Sequence, residues 1–334
     1  MVVDGFPCAR ERGAAGIANA GLGAPHLEGG MIENHTGTGT HSSPDAGLAR
    51  PGLAVGGAGQ GERATQTFML DLDYCELSDQ GSVRETNEDS HGHVSPANPA
   101  QGRSHGWMFA LADGVGGHVH GEVASRLAVD CILEGFRESR AGEPHTVLLP
   151  RLVEKANRRV YQEGQAGIPG GTRMATTLVA CALRHDRAVV AHVGDSRCYL
   201  IRRGRPMLLT EDHTVAQQQL RMGVISRAES LQSPNRHTLL RSIGHDLTVK
   251  ADLNQTQVAP GDVLLLCCDG LHGAIEESDL AHIATQHRDL REAARQLVAL
   301  ANERDGSDNI TVQLIRIKSV ERVGMYRGRP YKLR

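Results

Sequence analysis

Acidic residues recur at the ends of apolar runs in this chain. "ALADGVGGHVHGE" closes one run on Asp113-Gly114, and "LLLCCDGLHG" closes another on Asp269-Gly270. "VVAHVGDSR" ends on Gly194-Asp195, and "DGSDNITV" sets Asp308 just ahead of an apolar run. "VRETNEDSHGHV" places Glu88 and Asp89 shortly after Arg84. A lone Asp-Gly pair reads equally well as a hairpin turn, whose left-handed positions these residues favour. A hairpin, however, needs a second strand two residues on, and after both Asp-Gly pairs the sequence turns helical. A phosphate loop fails on spacing. Val119 takes the last glycine position of G-x-G-x-x-G, and no G-K-[ST] follows. Several acids at strand ends, each leading elsewhere, indicate a shared site.

Carboxylates without His or Cys partners are hard oxygen donors, suited to Mg²⁺ or Mn²⁺ and not to zinc. No H-E-x-x-H motif or histidine-rich ligand cluster accompanies them, despite 17 histidines. Two such ions about 4 Å apart can lower the pKa of a bridging water and clamp an in-line displacement at phosphorus. Arg84 adds a forked donor matched to a phosphate dianion. Gly114 lets its own carbonyl approach an ion that a side chain would crowd. Residue chemistry and spacing therefore point to metal-assisted phosphoester hydrolysis.

The elements that must position these groups are legible from about residue 69 onward. "FMLDLDYCELS", "WMFALAD", "ATTLVACALR", "RAVVAHVGD", "RCYLIRRG", "DVLLLCCDG" and "NITVQLIRIK" read as strands. "GEVASRLAVDCILEGF", "HTVLLPRLVEKANRRVYQEG", "ESDLAHIATQ" and "LREAARQLVALANER" carry apolar residues at helical spacing. Strands and paired helices alternate without the beat of a doubly wound fold, so two sheets covered outside by helices fit. Between Asp212 and Asp246 the chain is polar and broken, with "QQQLRMGVISRAES" reading as a helix and a turn. Residues 1–68 are rich in Gly, Ala, Ser and Thr and are expected to be a disordered leader or a mis-assigned start. Residues 69–318 form the expected catalytic domain, and 319–334 a basic, solvated tail.

Composition narrows the function further. Of the 334 residues, 40% are hydrophobic and 22% charged, as in a soluble globular protein. A formal charge of −3 and only 3% aromatics argue against a nucleic-acid surface. No apolar stretch has the length of a membrane span, and the N-terminus lacks a signal-peptide core. Seven cysteines without a C-x-x-C pair argue against a zinc site or a complete disulfide framework, which favours a cytoplasmic location.

The segments "SDQGSVRETNEDS" (78–90), "ALADGVGGH" (110–118), "MATTLVA" (174–180), "HVGDSRCYLIRRG" (192–204), "LTEDHT" (209–214), "LLLCCDGL" (264–271) and "SDNITVQL" (307–314) resemble, in order, the metal-dependent protein phosphatases of the type 2C class in their compact bacterial form. The resemblance implies an α+β, four-layer α-β-β-α sandwich, with two antiparallel sheets flanked by helices and a dinuclear metal centre at one end. It implies that Asp113 bridges two Mn²⁺ or Mg²⁺ ions and that Gly114 gives a carbonyl to one. Asp269 and Asp308 complete the other, and Asp89 acts directly or through water, with Glu88 as a helper. Asp195 holds a possible third ion, and Arg84 binds the substrate phosphate. Asp113, Asp269 and Asp308 are thereby catalytic as well as metal-binding. The implied substrates are phosphoserine and phosphothreonine in proteins, attacked directly by a metal-bridging water. The implied partners are a bacterial Ser/Thr kinase and its targets, met by a monomer. Val115 stands where animal members carry a histidine, leaving His118 and His120 as the nearby imidazoles; Cys268 replaces a common Ser. The alternative from another class is a non-catalytic regulator that binds phosphoproteins with the same fold.

Overall fold

The computed structural model describes residues 70–115, 120–166, 174–320, 323–326 and 329–332. The expected leader and the candidate His118 lie outside the described residues.

Two five-stranded antiparallel sheets form the centre. In chain order the strands are β1 (Leu70–Asp79), β2 (Asp89–Val94), β3 (Trp107–Asp113), β4 (Leu178–Arg184), β5 (Arg187–Val193), β6 (Arg197–Arg202), β7 (Arg205–Leu208), β8 (Asp252–Gln257), β9 (Val263–Cys267) and β10 (Ile310–Val320). One sheet runs β1-β10-β9-β6-β7 and the other β2-β3-β4-β5-β8. A separate pair, β11 (Val323–Tyr326) and β12 (Arg329–Lys332), lies within the segment expected to be a tail.

Side-chain alternation assigns each strand face to a layer. On β4, Leu178, Ala180 and Ala182 face a core shared with helices α2 (Gly121–Arg137) and α3 (His145–Ala166), which follow the short α1 (Pro99–Ser104). Val179, Cys181 and Leu183 face the other way, into a core closed by Leu264, Leu266 and Ile315 of the opposite sheet. On β9, Val263, Leu265 and Cys267 turn outward, toward a third core. That core lies beneath α7 (Glu277–Gln286) and α8 (Leu290–Arg304), beyond the short α4 (Val215–Arg221), α5 (Arg227–Leu231) and α6 (Asp269–His272). The order is helix, sheet, sheet, helix. The central strands are uniformly apolar because both faces are covered. No helix among the described residues is long and apolar enough to cross a membrane.

Candidate metal centre

The acids converge at one end of the sandwich, where strands stop. β2 begins and β3 ends at the same level, with Asp89 paired in register with Asp113. Asp113 is held from β4's approach. Thr177 Oγ1 accepts its backbone N–H at 2.9 Å, while Thr176 Oγ1 donates to its carbonyl at 2.7 Å. Thr177 is itself fixed by Ser196 Oγ at 2.7 Å. Asp269 opens α6 directly after β9, and Asp308 precedes β10. Asp195 follows Gly194, whose φ of +102° turns the chain between β5 and β6.

A pocket of about 410 Å³ opens here, lined among others by Arg84, Asp113, Gly114, Asp195, Asp269 and Asp308. Asp89 stands behind Asp113. Carboxylate oxygens of the two, with Cys268 Sγ, lie within 4.8 Å of one another. Thr311 Oγ1 donates to Asp89 Oδ2 at 2.6 Å, but Asp89 Oδ1 is buried and has no hydrogen-bond partner. Glu88 Oε2 is orphaned in the same way. Gly114 fits only as glycine. A Cβ there would stand 2.6 Å from the Gly121 carbonyl carbon and oxygen and 2.8 Å from the Glu88 carbonyl oxygen.

Without a cation this assembly is electrostatically costly. Desolvation pushes the Asp113 carboxyl well above the ordinary carboxylate range, and the charges of Asp89, Asp269, Asp195 and Asp308 push it further. Desolvation likewise raises Asp89 to about 7, with Asp269 and Asp308 adding to the rise against the Thr311 and Cys268 hydrogen bonds. Asp195 is raised by burial and then by Asp269 and Asp212. Asp269 goes the other way. Burial opposes its charge, yet a hydrogen bond from His237, the nearby His272 and a bond from Asp113 bring it to about 2. Arg84 Nη2 donates to Asp308 Oδ2 at 2.8 Å, and Arg236 lines the same pocket.

The donor set fits hard divalent ions. Carboxylate oxygens dominate it, with Cys268 Sγ beside Asp89 and Asp113 and the His237 imidazole beside Asp195 and Asp269, and it includes a buried carboxylate oxygen without a partner. Zinc-type ligation is not the pattern at the pocket floor, where oxygen donors dominate.

Two further residues organise the site. Asn309 Oδ1 accepts the Glu88 N–H at 2.8 Å, and its Nδ2 donates to the Gln80 and Thr86 carbonyls at 2.8 and 3.0 Å. It ties the Arg84 loop to the start of β10. His237 enters the pocket from the broken segment. Its Nδ1 lies 3.1 Å from Asp269 Oδ2, and Arg236 Nε donates to its Nε2 at 2.7 Å. The arginine can only donate, so Nδ1 carries the proton and gives it to Asp269. A histidine within "SPNRHTLL" carries no local signal of this contact; only the folding back of the segment supplies it. His192, in β5, is a hydrogen-bonded core residue, with Nε2 2.8 Å from the Glu211 carbonyl.

This fold and this acid cluster are those of a metal-dependent phosphatase, and comparison with known proteins gives the family. Residues 82–314 match the model of the Protein phosphatase 2C family, and the chain belongs to that family. It is 34% identical over 257 residues to the serine/threonine phosphatase stp of Listeria innocua, covering 75% of this chain and 96% of that protein. Protein phosphatase PhpP of Streptococcus pneumoniae is 34% identical over 241 residues, covering 72% of this chain and 95% of its own. Among solved structures, the S. agalactiae serine/threonine phosphatase superposes with a TM-score of 0.68 at 31% identity, over 74% of this chain and all of that one. The catalytic domain of the serine/threonine phosphatase PstP in complex with two manganese ions gives 0.64 at 30% identity, over 75% and 100%.

Proposed function

We propose that this protein is a Mn²⁺- or Mg²⁺-dependent phosphatase of phosphoserine and phosphothreonine in proteins, opposing a Ser/Thr kinase. The observation that carries the reading is the convergence of Asp113, Asp195, Asp269 and Asp308 on one pocket, with Asp89 paired in register behind Asp113 and Arg84 bonded to Asp308. Asp113, the Gly114 carbonyl, Asp269 and Asp308 would hold a pair of ions, with Asp89 in support, and Asp195 would hold a third. Two such ions, when bound, supply Lewis acidity at the phosphoryl oxygens and a water nucleophile at neutral pH.

The chain's own residues do the rest. Arg84 stands at the pocket mouth with one nitrogen on Asp308, and the remaining donors of its fork are available to a phosphate dianion. The Thr177 hydroxyl, although it lines the pocket, is engaged by Ser196 and by the Asp113 N–H. It serves as structure, and the phosphoryl group passes to water without a phosphoenzyme. His237 keeps Asp269 ionised by donating to it. The six described cysteines are all free thiols, in keeping with a cytoplasmic site of action.

Phosphate release from a phosphothreonine peptide, measured with and without Mn²⁺, tests this. Release that needs Mn²⁺ and disappears in Asp113→Ala is expected. Metal-independent release, or full activity in that variant, would overturn the reading.

A further inference from the structure

His237 faces two carboxylates, not one. Oxygens of Asp195 and Asp269 and a ring nitrogen of His237 lie within 4.8 Å of one another, and all three residues line the acid pocket. The spacing suits ligands of one ion. His237 Nδ1 stands 3.1 Å from Asp269 Oδ2, and adjacent ligands on an octahedral ion with bonds of about 2.1 Å are about 3 Å apart. Asp195, only 5% exposed, adds a buried carboxylate to the group.

Separate contacts hold each member. His272 shares the short helix α6 with Asp269, and its Nε2 donates to the Asp195 carbonyl at 3.0 Å. The helix carrying one acid is thereby tied to the turn carrying the other. The chain just beyond His237 is pinned as well. Val215 N–H donates to the Thr238 carbonyl at 2.9 Å, and Leu240 N–H to the His213 carbonyl at 2.7 Å. His213 N–H donates in turn to the Gly194 carbonyl at 3.0 Å, beside Asp195. His237 thus reaches the two acids from a stretch anchored to the same β5–β6 turn. Its side chain is 50% exposed, so ions and water have access to it.

We propose that His237 Nδ1 is a ligand of the ion held by Asp195 and Asp269, which makes this a mixed nitrogen–oxygen site. The inference rests on the metal-centre reading and adds a ligand and an ion preference. In the metal-free protein a proton occupies Nδ1, and Arg236 donates to Nε2. Ion binding moves the imidazole proton from Nδ1 to Nε2 with no net gain or loss, and the exposed Arg236 side chain turns away to water. Mg²⁺ takes oxygen ligands, whereas imidazole suits first-row transition ions. The ion at His237 is therefore Mn²⁺ or a later transition ion, while the pair at Asp113 accepts Mg²⁺ or Mn²⁺.

The test titrates the chelator-stripped full chain with Mn²⁺ and with Mg²⁺ by calorimetry, in wild type and in His237→Asn. A wild-type crystal soaked in Mn²⁺ is measured at the manganese absorption edge. Asparagine keeps an N–H near the place of Nδ1 to donate to Asp269 but brings no imidazole, so the loss of a hydrogen bond is separated from the loss of a ligand. A Mn²⁺ binding event beyond the first two is expected in the wild type, weakened roughly 100-fold in the variant, with no matching change for Mg²⁺. The anomalous peak should be bonded to His237 Nδ1 as well as to Asp195 and Asp269, a result that stands even where the variant misfolds. Equal Mn²⁺ affinity in both proteins, a third event as strong with Mg²⁺, no third event in the wild type, or a peak at the two acids that His237 does not touch overturns the inference alone. Absence of any Mn²⁺ binding overturns the metal-centre reading and the inference with it.

Discussion

Replacing Asp89 by asparagine should stabilise the metal-free protein at neutral pH. The Asp89 carboxyl is raised from 3.8 to about 7, first by desolvation and then by Asp269 and Asp308. A folded-state value above the unfolded one means that the folded protein binds the proton more tightly. The associated stability is complete below about pH 4 and is lost as pH climbs to 7. That rise corresponds to roughly 4 kcal/mol. An amide of the same shape does not ionise and can still accept the Thr311 hydroxyl, now 2.6 Å from Asp89 Oδ2. Allowing about 1 kcal/mol for a less well satisfied amide, the Asp89→Asn variant should gain about 3 kcal/mol at pH 8, or about 10 °C in Tm. Three imidazoles run the opposite way. Burial lowers His145, His213 and His272 to about 4, so their contribution is lost as pH falls from 6.5. They are common to both proteins and cancel in the difference. Thermal unfolding of both proteins in excess chelator, from pH 4 to pH 8, should show the variant about 1 kcal/mol less stable at the acid end, crossing over as pH rises and reaching its full gain by pH 8. Saturating Mn²⁺ should then narrow or reverse it, because the wild type gains more from the ions. A metal-free variant less stable than wild type at pH 8, or a difference that does not grow with pH, would refute the reasoning.

Other consequences follow from single contacts. Arg197 grips Asp212 through two nitrogens, at 2.9 and 2.7 Å, so Asp212→Ala leaves a largely buried guanidinium unpaired. A loss of about 3–5 kcal/mol in urea unfolding is expected. Gly114→Ala would force a methyl against the Gly121 and Glu88 backbones, and Mn²⁺ affinity measured by calorimetry should fall although no acid is altered. Asn157→Leu strips three hydrogen bonds, to Gly244, Asp246 and Leu247, from the base of the segment that carries His237. Stability should drop by about 3 kcal/mol, with faster amide exchange at Gly244 by mass spectrometry.

The sequence makes the inner strands plain and three of the four edge strands obscure; the fourth, β1, is legible as "FMLDLDYCELS". β3, β4, β5, β6 and β9 are covered on both faces and read as continuous apolar runs. β2, β7 and β8 were not distinguishable as strands: "DSHGHV", "RPML" and "DLNQTQ" lie at sheet edges, where one side is open and polar residues are tolerated. The alternation of strands with paired helices already fits two sheets covered outside by helices, and the family resemblance adds that both sheets are antiparallel. At the site, Asp113, Asp269, Asp195 and Asp308 stood out because each punctuates an apolar run, and the structure gathers them with Asp89, Gly114 and Arg84 at one end of the sandwich. His237 does not stand out. Its place depends on how residues 212–246 fold back across the pocket, and that path is set by contacts distant in sequence, such as Asn157 with Gly244 and Thr176 with Ile243.

The most direct measurement is a calorimetric titration of chelator-stripped protein with Mn²⁺ at pH 7.5, in two buffers of different ionisation enthalpy. The expected result is at least two ions per chain, with protons released as cations displace them from the raised carboxyls, and loss of that binding in Asp113→Ala and Asp269→Asn. Stoichiometric binding that both variants retain, or no binding of Mn²⁺ or Mg²⁺ at millimolar concentration, would contradict the claim that these aspartates exist to hold a pair of divalent ions.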